Sequence, residues 1–419
     1  MTWLQRYRLR GFLVNSVWLP PLLGILAALA ANRLAQSADR FLGWRAAASV
    51  AASQSVLTAL ASSMLTFIVF VFSILLLAVQ LASAQLTPRV IAHFYRSRIL
   101  RLSLSLFVFV FTFNLAVLAR IGDSVPRLSA WLAAYSSVAA IGVFLYMIDN
   151  VGRSLRPISV LTAIGRVGHD VIEAVYPHRL TGAEDTTNAV PAMPADDCRR
   201  IVGNVRTGVV LAFDPDGLAA LARQADCLIE VVPQVGDFVA KGDPLFRLYG
   251  GDLDDRDLQQ SVAIGPERTM EQDPAFAFRI IVDVAAKALS PAINDPTTGV
   301  LALDQVHRLL REVARRQLDT GRLRDESGAL CLVYRTPDWE DFVSLAITEI
   351  RQFGGNSTQI ARRMRALLEN LIAVVPPQRV APLRKELELL GRGVERDFHD
   401  PEDRARAGTA DSLGMGGSA

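Results

Sequence analysis

Four long apolar runs dominate the first 150 residues of the chain. They cover residues 11–31, 56–79, 102–121 and 125–148. A helix crosses the hydrocarbon core of a bilayer with about 20 largely apolar residues, so each run is long enough to span a membrane. The second run, VLTALASSMLTFIVFVFSILLLAV, contains no charged residue, which argues against a soluble core helix. The pattern predicts a transmembrane domain of four helices over residues 1–150.

The hydrophobic pattern changes after residue 150. Helical spacing up to residue 176, followed by a Pro-, Thr- and acid-rich stretch, predicts an amphipathic helix and a linker over 151–198. Residues 199–250 alternate apolar and polar positions around two Gly-Asp pairs, which predicts a small β-rich, barrel-like unit. Residues 251–399 have mostly helical spacing, and the Gly- and Ser-containing end predicts a disordered tail over 400–419. The fold class is therefore a four-span membrane domain followed by a soluble α+β region.

Composition agrees with a membrane protein that carries a soluble part. Hydrophobic residues make up 51% of the chain and charged residues 21%, with a mean hydropathy of +0.28. The formal net charge of +2 gives no basic excess for nucleic acid. The three cysteines, Cys198, Cys227 and Cys331, are far apart, so neither a disulfide framework nor a zinc site is indicated. We expect no nucleic-acid partner, no metal and no cofactor.

Arginine placement predicts how the spans are oriented. The segment between the second and third runs holds Arg89, Arg96, Arg98 and Arg101 and no acid. Because cytoplasmic loops carry the excess of Lys and Arg, this loop is predicted to be cytoplasmic. An even number of spans then places the N-terminus and the C-terminal region on the cytoplasmic side of a bacterial inner membrane.

The stretch LSPAINDPTT, residues 289–298, is predicted to be a corner between two helices. Asp273 and Asp295 each precede a proline, the pattern of a cap followed by the first helical position. Arg279, Asp283 and Lys287 are four residues apart and share one helix face, which is typical of a row of ion pairs. An alternative is that the two helix starts bind an anion or a lipid head group. The residues of this corner, functional or structural, are Asp273, Asp283, Lys287, Asn294, Asp295, Thr297 and Thr298.

The second apolar run contains several hydroxyl side chains. Ser55, Ser62, Ser63 and Thr66 give its first half a polar face. Such a face can line a water-filled path in an oligomer, although small residues also serve simply to pack helices together. We find no phosphate-binding, dinucleotide-binding or nucleophile-elbow motif in the sequence, so no catalytic residue is predicted and a non-enzymatic role is favoured.

Three segments resemble one family of membrane proteins. The segment QDPAFAFRIIVDVAAKALSPAINDPTTGVLALDQV, the upstream DPDGLAALARQADCLIEVVPQVGDFVAKGDPL and the membrane-proximal VQLASAQLTPRVI are similar to the DUF2254 family of predicted bacterial membrane proteins. The resemblance implies a multi-pass membrane protein with a C-terminal soluble region. It implies no activity and no catalytic residues.

Two functional hypotheses follow from these patterns. The first is an oligomeric, channel-like transport protein whose cytoplasmic region gates the path. The second is a membrane-anchored cytoplasmic sensor or scaffold that binds a protein or a small ligand. The expected partners are the lipid bilayer, further copies of the chain, and a cytoplasmic protein or ligand.

Overall fold

A computed structural model describes residues 2–42, 45–46, 50–85, 98–121, 125–154, 156–180 and 198–415 of the chain. The chain divides into two compact units, Leu9–Ser159 and Met1–Arg8 with Val160–Ala419. Residues 181–197 of the predicted linker, and the predicted cytoplasmic loop around Arg89 and Arg96, lie outside the described residues.

The N-terminal part of the chain is helical. Its helices are α1 (Trp3–Asn15), α2 (Leu19–Leu42), α3 (Val50–Gln85), α4 (Arg98–Leu118) and α5 (Arg127–Ser154), and the short strands β1 (Arg45–Ala46) and β2 (Val125–Pro126) pair antiparallel. Three segments are long and apolar enough to cross a membrane, namely Val50–Gln80, Arg98–Leu118 and Arg127–Ser154. The first two helices give a fourth candidate only if they count together as one bent span.

The first predicted span differs from the structure. The sequence predicts a continuous helix over 11–31, whereas the structure interrupts it at residues 16–18, with a bend of 70° between α1 and α2. The Ser16 hydroxyl accepts a hydrogen bond from the backbone N–H of Leu19 at 3.2 Å, and two prolines lie in the first turn of α2. A capping hydroxyl followed by proline marks a helix start, which explains the break. Four continuous spans are therefore not confirmed.

Two apolar clusters hold the first unit together. One packs α2 against α4 and α5, and the other packs α3 against α4 and α5, where Phe67 and Phe144 stack at 4.2 Å. Helices α2 and α4 run in the same direction, because Ser105 donates to the carbonyl of Pro20 at 2.7 Å near their starts and Arg120 contacts Gln36 near their ends.

A buried carboxylate joins the end of α2 to the start of α5. Asp39 is 7% exposed and accepts hydrogen bonds from the backbone N–H groups of Leu128 and Ser129, at 2.8 and 3.1 Å, and from the Ser129 hydroxyl at 2.6 Å. The first N–H groups of a helix have no partner within that helix. Asp39 therefore caps α5 from a different helix.

The second unit begins with α6 (Pro157–Val175) and contains two sheets. The larger sheet has the order β3 (Arg200–Gly203), β7 (Pro244–Gly250), β5 (Cys227–Val231), β10 (Leu330–Tyr334) and β9 (Arg322–Arg324), and the smaller one has the order β6 (Phe238–Val239), β4 (Gly208–Phe213) and β8 (Val262–Gly265). Strands β5 and β10 are parallel, and the other pairs are antiparallel. Helices α7 (Pro215–Gln224) and α8 (Asp255–Gln259) complete this part.

The predicted barrel-like unit is wrong in two respects. Neither sheet closes on itself, so the unit is a pair of open sheets. Strands β9 and β10 also come from residues 322–334, far outside the predicted β unit of 199–250. The short apolar run LCLVY gave no alternating pattern that would separate it from the helices around it. Its pairing partner β5 is about 100 residues away, and only the tertiary fold shows that pairing.

The remaining part of the second unit is mainly helical. Its helices are α9 (Pro274–Ala288), α10 (Pro296–Val313), α11 (Trp339–Phe353), α12 (Thr358–Val374), α13 (Val380–Asp397) and α14 (Pro401–Ala407). The sequence predicts disorder from residue 400, but Asp400 caps α14 by accepting from two backbone N–H groups. Asp411, which is 5% exposed, donates its N–H to the carbonyl of Arg362 at 3.2 Å. Residues up to 415 thus pack against α12.

Candidate functional site

The corner at residues 289–298 is a short connection between α9 and α10. Asp295 caps α10: one carboxylate oxygen accepts from the backbone N–H of Thr298 at 3.1 Å and the other from its hydroxyl at 2.5 Å. Asn294 has a φ of +48°, a left-handed conformation that Asn tolerates better than most residues. The N–H of Asn294 donates to the carbonyl of Ser290 at 2.8 Å. Thr297 is exposed, whereas Thr298 is buried. Local capping therefore accounts for these residues.

The two predicted helix starts do not lie together. Asp273 precedes α9 and Asp295 follows it. Because α9 has 15 residues, the two carboxylates are separated by about 22 Å along the helix axis. Lys287 lies in the last turn of α9, at the end near Asp295 and away from Asp273. The two helix starts thus cannot form one anion-binding pocket.

The row of charges on α9 connects two helices. Arg279 donates to Asp283 at 2.7 Å and makes a two-pronged ion pair with Glu349 of α11, both contacts at 2.6 Å. These charge-assisted bonds raise the pKa of Arg279, although burial opposes this, and they hold the pKa of Glu349 below its usual value. The Arg279 side chain is only 22% exposed. Arg279 and Asp283 therefore bridge α9 to Glu349 of α11, which lies 70 residues from Arg279 and so cannot be indicated by helical spacing.

The Gln-Asp-Pro sequence before α9 joins the smaller sheet to the helices. The side-chain amide of Gln272 accepts from the N–H of Phe213 and donates to its carbonyl, both at 3.1 Å, so it pairs with the end of β4 as a strand would. The next residue, Asp273, is 3% exposed and accepts from the N–H of Phe276 at 3.0 Å. Pro274 then occupies the first position of α9. Each of the three residues has a separate structural task at this junction.

Arg268 links this junction to a turn of the β region. Its Nε donates to the second oxygen of Asp273 at 2.5 Å, and its guanidinium lies 5.2 Å from the centre of the Phe276 ring. It also lies against Gly236, where an added Cβ would come within 2.4 Å of the guanidinium carbon. Burial raises the pKa of Asp273, Arg268 works in the opposite direction, and the charge of Asp237 raises it further. The junction is thus a nearly buried ion pair enclosed by a glycine turn.

The hydroxyl side chains of α3 lie on the surface of the single chain. Ser55, Ser62, Ser63 and Thr66 are all exposed, whereas the opposite face of the helix packs into the bundle. Three of them donate to the carbonyl four residues earlier, Ser55 at 2.9 Å, Ser63 at 2.8 Å and Thr66 at 3.0 Å. A hydroxyl bonded in this way is satisfied within its own helix. The polar face predicted from the sequence therefore points away from the helices of the same chain.

No described residues form a group of three or more His, Cys, Asp or Glu side chains that could hold a metal ion. The three cysteines are free thiols, and Cys331 is buried. Burial and the charge of Asp226 raise the pKa of the Cys227 thiol, which makes it a weaker nucleophile.

Comparison with known proteins gives a family and no activity. The family model described as "Predicted membrane protein (DUF2254)" matches residues 14–370. An uncharacterized protein of Mycobacterium bovis and one of Mycobacterium tuberculosis are each 26% identical over 372 residues, covering 84% of this chain and 70% of the relative. No solved structure matches the chain. Three apolar helices that are long enough to cross a bilayer agree with the family description. The chain belongs to the DUF2254 family of predicted membrane proteins.

Proposed function

We propose that the protein is an inner-membrane protein that assembles into a homo-oligomer and acts as a channel-like transport protein, with α3 beside the path and the soluble unit as its gate. The observation that carries the proposal is the direction of the polar face of α3. A window of 18 residues in this helix is only 17% buried within the chain. Most of the surface of this span, the most apolar of the three, therefore faces lipid, water or further copies of the chain.

Five polar side chains of α3 form one stripe, and Ser63, also exposed, lies about 80° from its centre. Ser55, Ser62, Thr66, Ser73 and Gln80 are all exposed, and at 3.6 residues per turn they fall within about 40° of arc around the helix. A stripe of this kind is not needed to pack α3 against its own bundle, because the buried face carries apolar side chains. Gln80 is the last residue of the candidate span, so water at the membrane surface can reach its amide, whereas Ser62, Thr66 and Ser73 lie within the span. A water-filled path between copies hydrates those three hydroxyls.

The orientation belongs to the same proposal. Arg98 and Arg101 lie at the start of α4, and Arg153 lies at the end of α5, so these three arginines share one side of the bundle. An excess of arginine marks the cytoplasmic side. We place this side of the bundle, the N-terminus and the soluble unit in the cytoplasm.

The corner residues have an architectural role in this proposal. Asp295 and Thr298 close one end of the α9–α10 connection, and Asp273 closes the other end of α9. Asp283 lies in the bridge to α11. Asn294 supplies the left-handed residue of the turn. Lys287 and Thr297 flank the turn, and we assign neither of them a ligand.

Disulfide cross-linking of the full-length protein tests whether α3 lies near a symmetry axis. Ser62→Cys is introduced after Cys198, Cys227 and Cys331 are replaced by Ala, and oxidised membranes are analysed for covalent dimers. Leu65→Cys is the matched control, because Leu65 is 49% exposed on the same turn but lies about 60° from Ser62 around the helix.

Efficient cross-linking at Ser62→Cys and none at Leu65→Cys is the expected result. Light scattering of the purified protein, corrected for bound detergent, then gives the number of subunits. A monomer, or equal cross-linking at both positions, contradicts the proposal. Ion flux into liposomes that contain the wild-type oligomer tests transport itself.

A sensor or scaffold function is the second candidate, and one surface feature favours it. A pocket of about 580 Å³ in the soluble unit lies beside α7, β5 and the β9–β10 turn, with Arg223, Asp226, Tyr249, Asp325 and Ser327 among its lining residues. Polar side chains of both charges suit a small zwitterionic or hydrogen-bonding ligand. If Arg223→Ala abolishes ligand-induced stabilisation of the full-length protein and ion flux is absent, this function replaces the channel.

A further inference from the structure

The interior of the membrane bundle contains polar side chains that the α3 stripe does not explain. Asn32 of α2 is 3% exposed, and Asn114 of α4 and Ser137 of α5 are fully buried. Each lies on the inward face of its helix, between apolar neighbours of one core cluster. Burying an amide in a membrane protein costs free energy unless its polar atoms have partners. Hydrogen bonds between helices supply such partners in many membrane bundles, so a buried amide oxygen that lacks one is a candidate for ligand binding.

The hydrogen bonds at this site leave oxygen atoms without partners. Asn114 donates its amide hydrogens to the carbonyl of Val110 at 2.9 Å and to the hydroxyl of Ser137 at 3.0 Å. Ser137 donates in turn to the carbonyl of Ala133 at 2.8 Å. The side-chain oxygens of Asn114 and Asn32 are buried and have no hydrogen-bond partner among the described residues. The hydrogen donors of Asn114 and Ser137 are used, and lone pairs remain.

The register of the helices places the two amides at the same level. Helices α2 and α4 are parallel, with Gly24 against Ser105 near one end and Gln36 against Arg120 near the other. Counting eight residues from the first pair, or four back from the second, brings Asn32 opposite residues 113–116 of α4. Asn114 lies in that range and bonds across to α5. The register therefore puts the unpartnered oxygens of Asn32 and Asn114 at one level of the bundle, and Ser137 of α5 is bonded to Asn114.

We propose that Asn32, Asn114 and Ser137 form a binding site for a monovalent alkali cation inside each membrane bundle. Uncharged oxygens with free lone pairs replace the hydration shell of such a cation, whereas they offer nothing to an anion. The site lies within one chain, so it does not rest on the proposed oligomeric channel. Its occupancy is measured at equilibrium, without flux and without a count of subunits.

Cation-dependent stability of the full-length protein in detergent tests the site. The midpoint of thermal unfolding is recorded at 1, 10 and 100 mM NaCl or KCl, with choline chloride keeping the ionic strength constant. A ligand that binds only the folded protein raises its stability with the logarithm of the ligand concentration. We expect the midpoint to rise by a few degrees for each tenfold step with at least one of the two salts.

The variants Asn32→Leu and Asn114→Leu are expected to lose this dependence, whichever way their midpoint in choline moves. Asn150→Leu, on α5 but outside the site, is the control and keeps it. A wild-type midpoint that does not respond to NaCl or KCl overturns the proposal and leaves water as the partner of the two oxygens. A dependence that persists in both variants also overturns it, because the cation then binds elsewhere.

Discussion

Replacement of Asp295 by alanine is expected to cost more than the loss of an ordinary helix cap. Removing a capping side chain costs about 1 kcal/mol. Here Asp295 also accepts the hydroxyl hydrogen of Thr298, a residue that is only 5% exposed. A buried hydroxyl left without an acceptor costs a further penalty of about 1.5 kcal/mol. We therefore expect Asp295→Ala to lower the free energy of unfolding of the soluble unit by about 2.5 kcal/mol.

A double-mutant cycle with Thr298→Val separates the two contributions. The valine removes the hydroxyl, so Thr298→Val alone is expected to cost about 1 kcal/mol, and the double variant about 1.5 kcal/mol, less than the two single changes together. Urea unfolding of the full-length protein in detergent, followed by circular dichroism, measures these values. Thr297→Val is the control, since Thr297 is the exposed neighbour. Strictly additive costs refute the shared hydrogen bond, and a fully stable Asp295→Ala that has lost ion flux refutes the architectural role.

Three further changes test other parts of the soluble unit. Gly236→Ala is expected to destabilise the protein more than Gly242→Ala in urea unfolding: both glycines have a φ of +96°, but only the first would place a Cβ against Arg268. Arg379 is 1% exposed and donates two hydrogen bonds to carbonyls at the end of α10. Because a charged hydrogen bond contributes about 1.5 kcal/mol or more, Arg379→Met is expected to lower the free energy of unfolding by about 3 kcal/mol in the same assay. Burial raises the pKa of the Asp273 carboxyl above its ordinary value, although Arg268 opposes this, so the folded protein holds the carboxyl proton more tightly than the unfolded chain does. This contribution to stability is present below the pKa of the unfolded chain and is lost as the pH rises through the folded pKa. A pH series of unfolding free energies, wild type minus Asp273→Asn, measures this loss.

The corner at residues 289–298 shows which features local sequence patterns can predict. Asp295 followed by proline predicts a cap and a helix start, and the structure has both. The pattern did not reveal that the Thr298 hydroxyl donates to the second oxygen of the Asp295 carboxylate, because burial of Thr298 depends on how α10 packs. The length of α9 excludes the alternative of a single anion-binding site, because this helix separates Asp273 from Asp295. That separation could already be read from the sequence. Helical spacing also predicted the row from Arg279, but its partner on α11 could come only from tertiary packing.

The β region shows what local sequence patterns do not predict. Turn chemistry at Gly236 and Gly242 correctly indicates tight turns, as both have positive φ. Turns determine local pairing, whereas the order of strands in a sheet depends on contacts between distant segments. The parallel pair of β5 and β10 therefore was not predictable from alternation, and a barrel was inferred where the structure has two open sheets.

In the membrane part, hydropathy locates the spans but does not show which of their polar residues face inward. Asn114 stands out in an apolar run, whereas Asn32 lies one residue beyond the predicted end of the first span. The structure places Asn32 on the buried face of α2 and leaves the hydroxyls of α3 outside. Because the outward stripe needs neighbouring copies and the inward amides need none, the two proposals make separable predictions. A monomer whose stability responds to Na⁺ would remove the path between subunits and move the search for transport into the bundle of one chain.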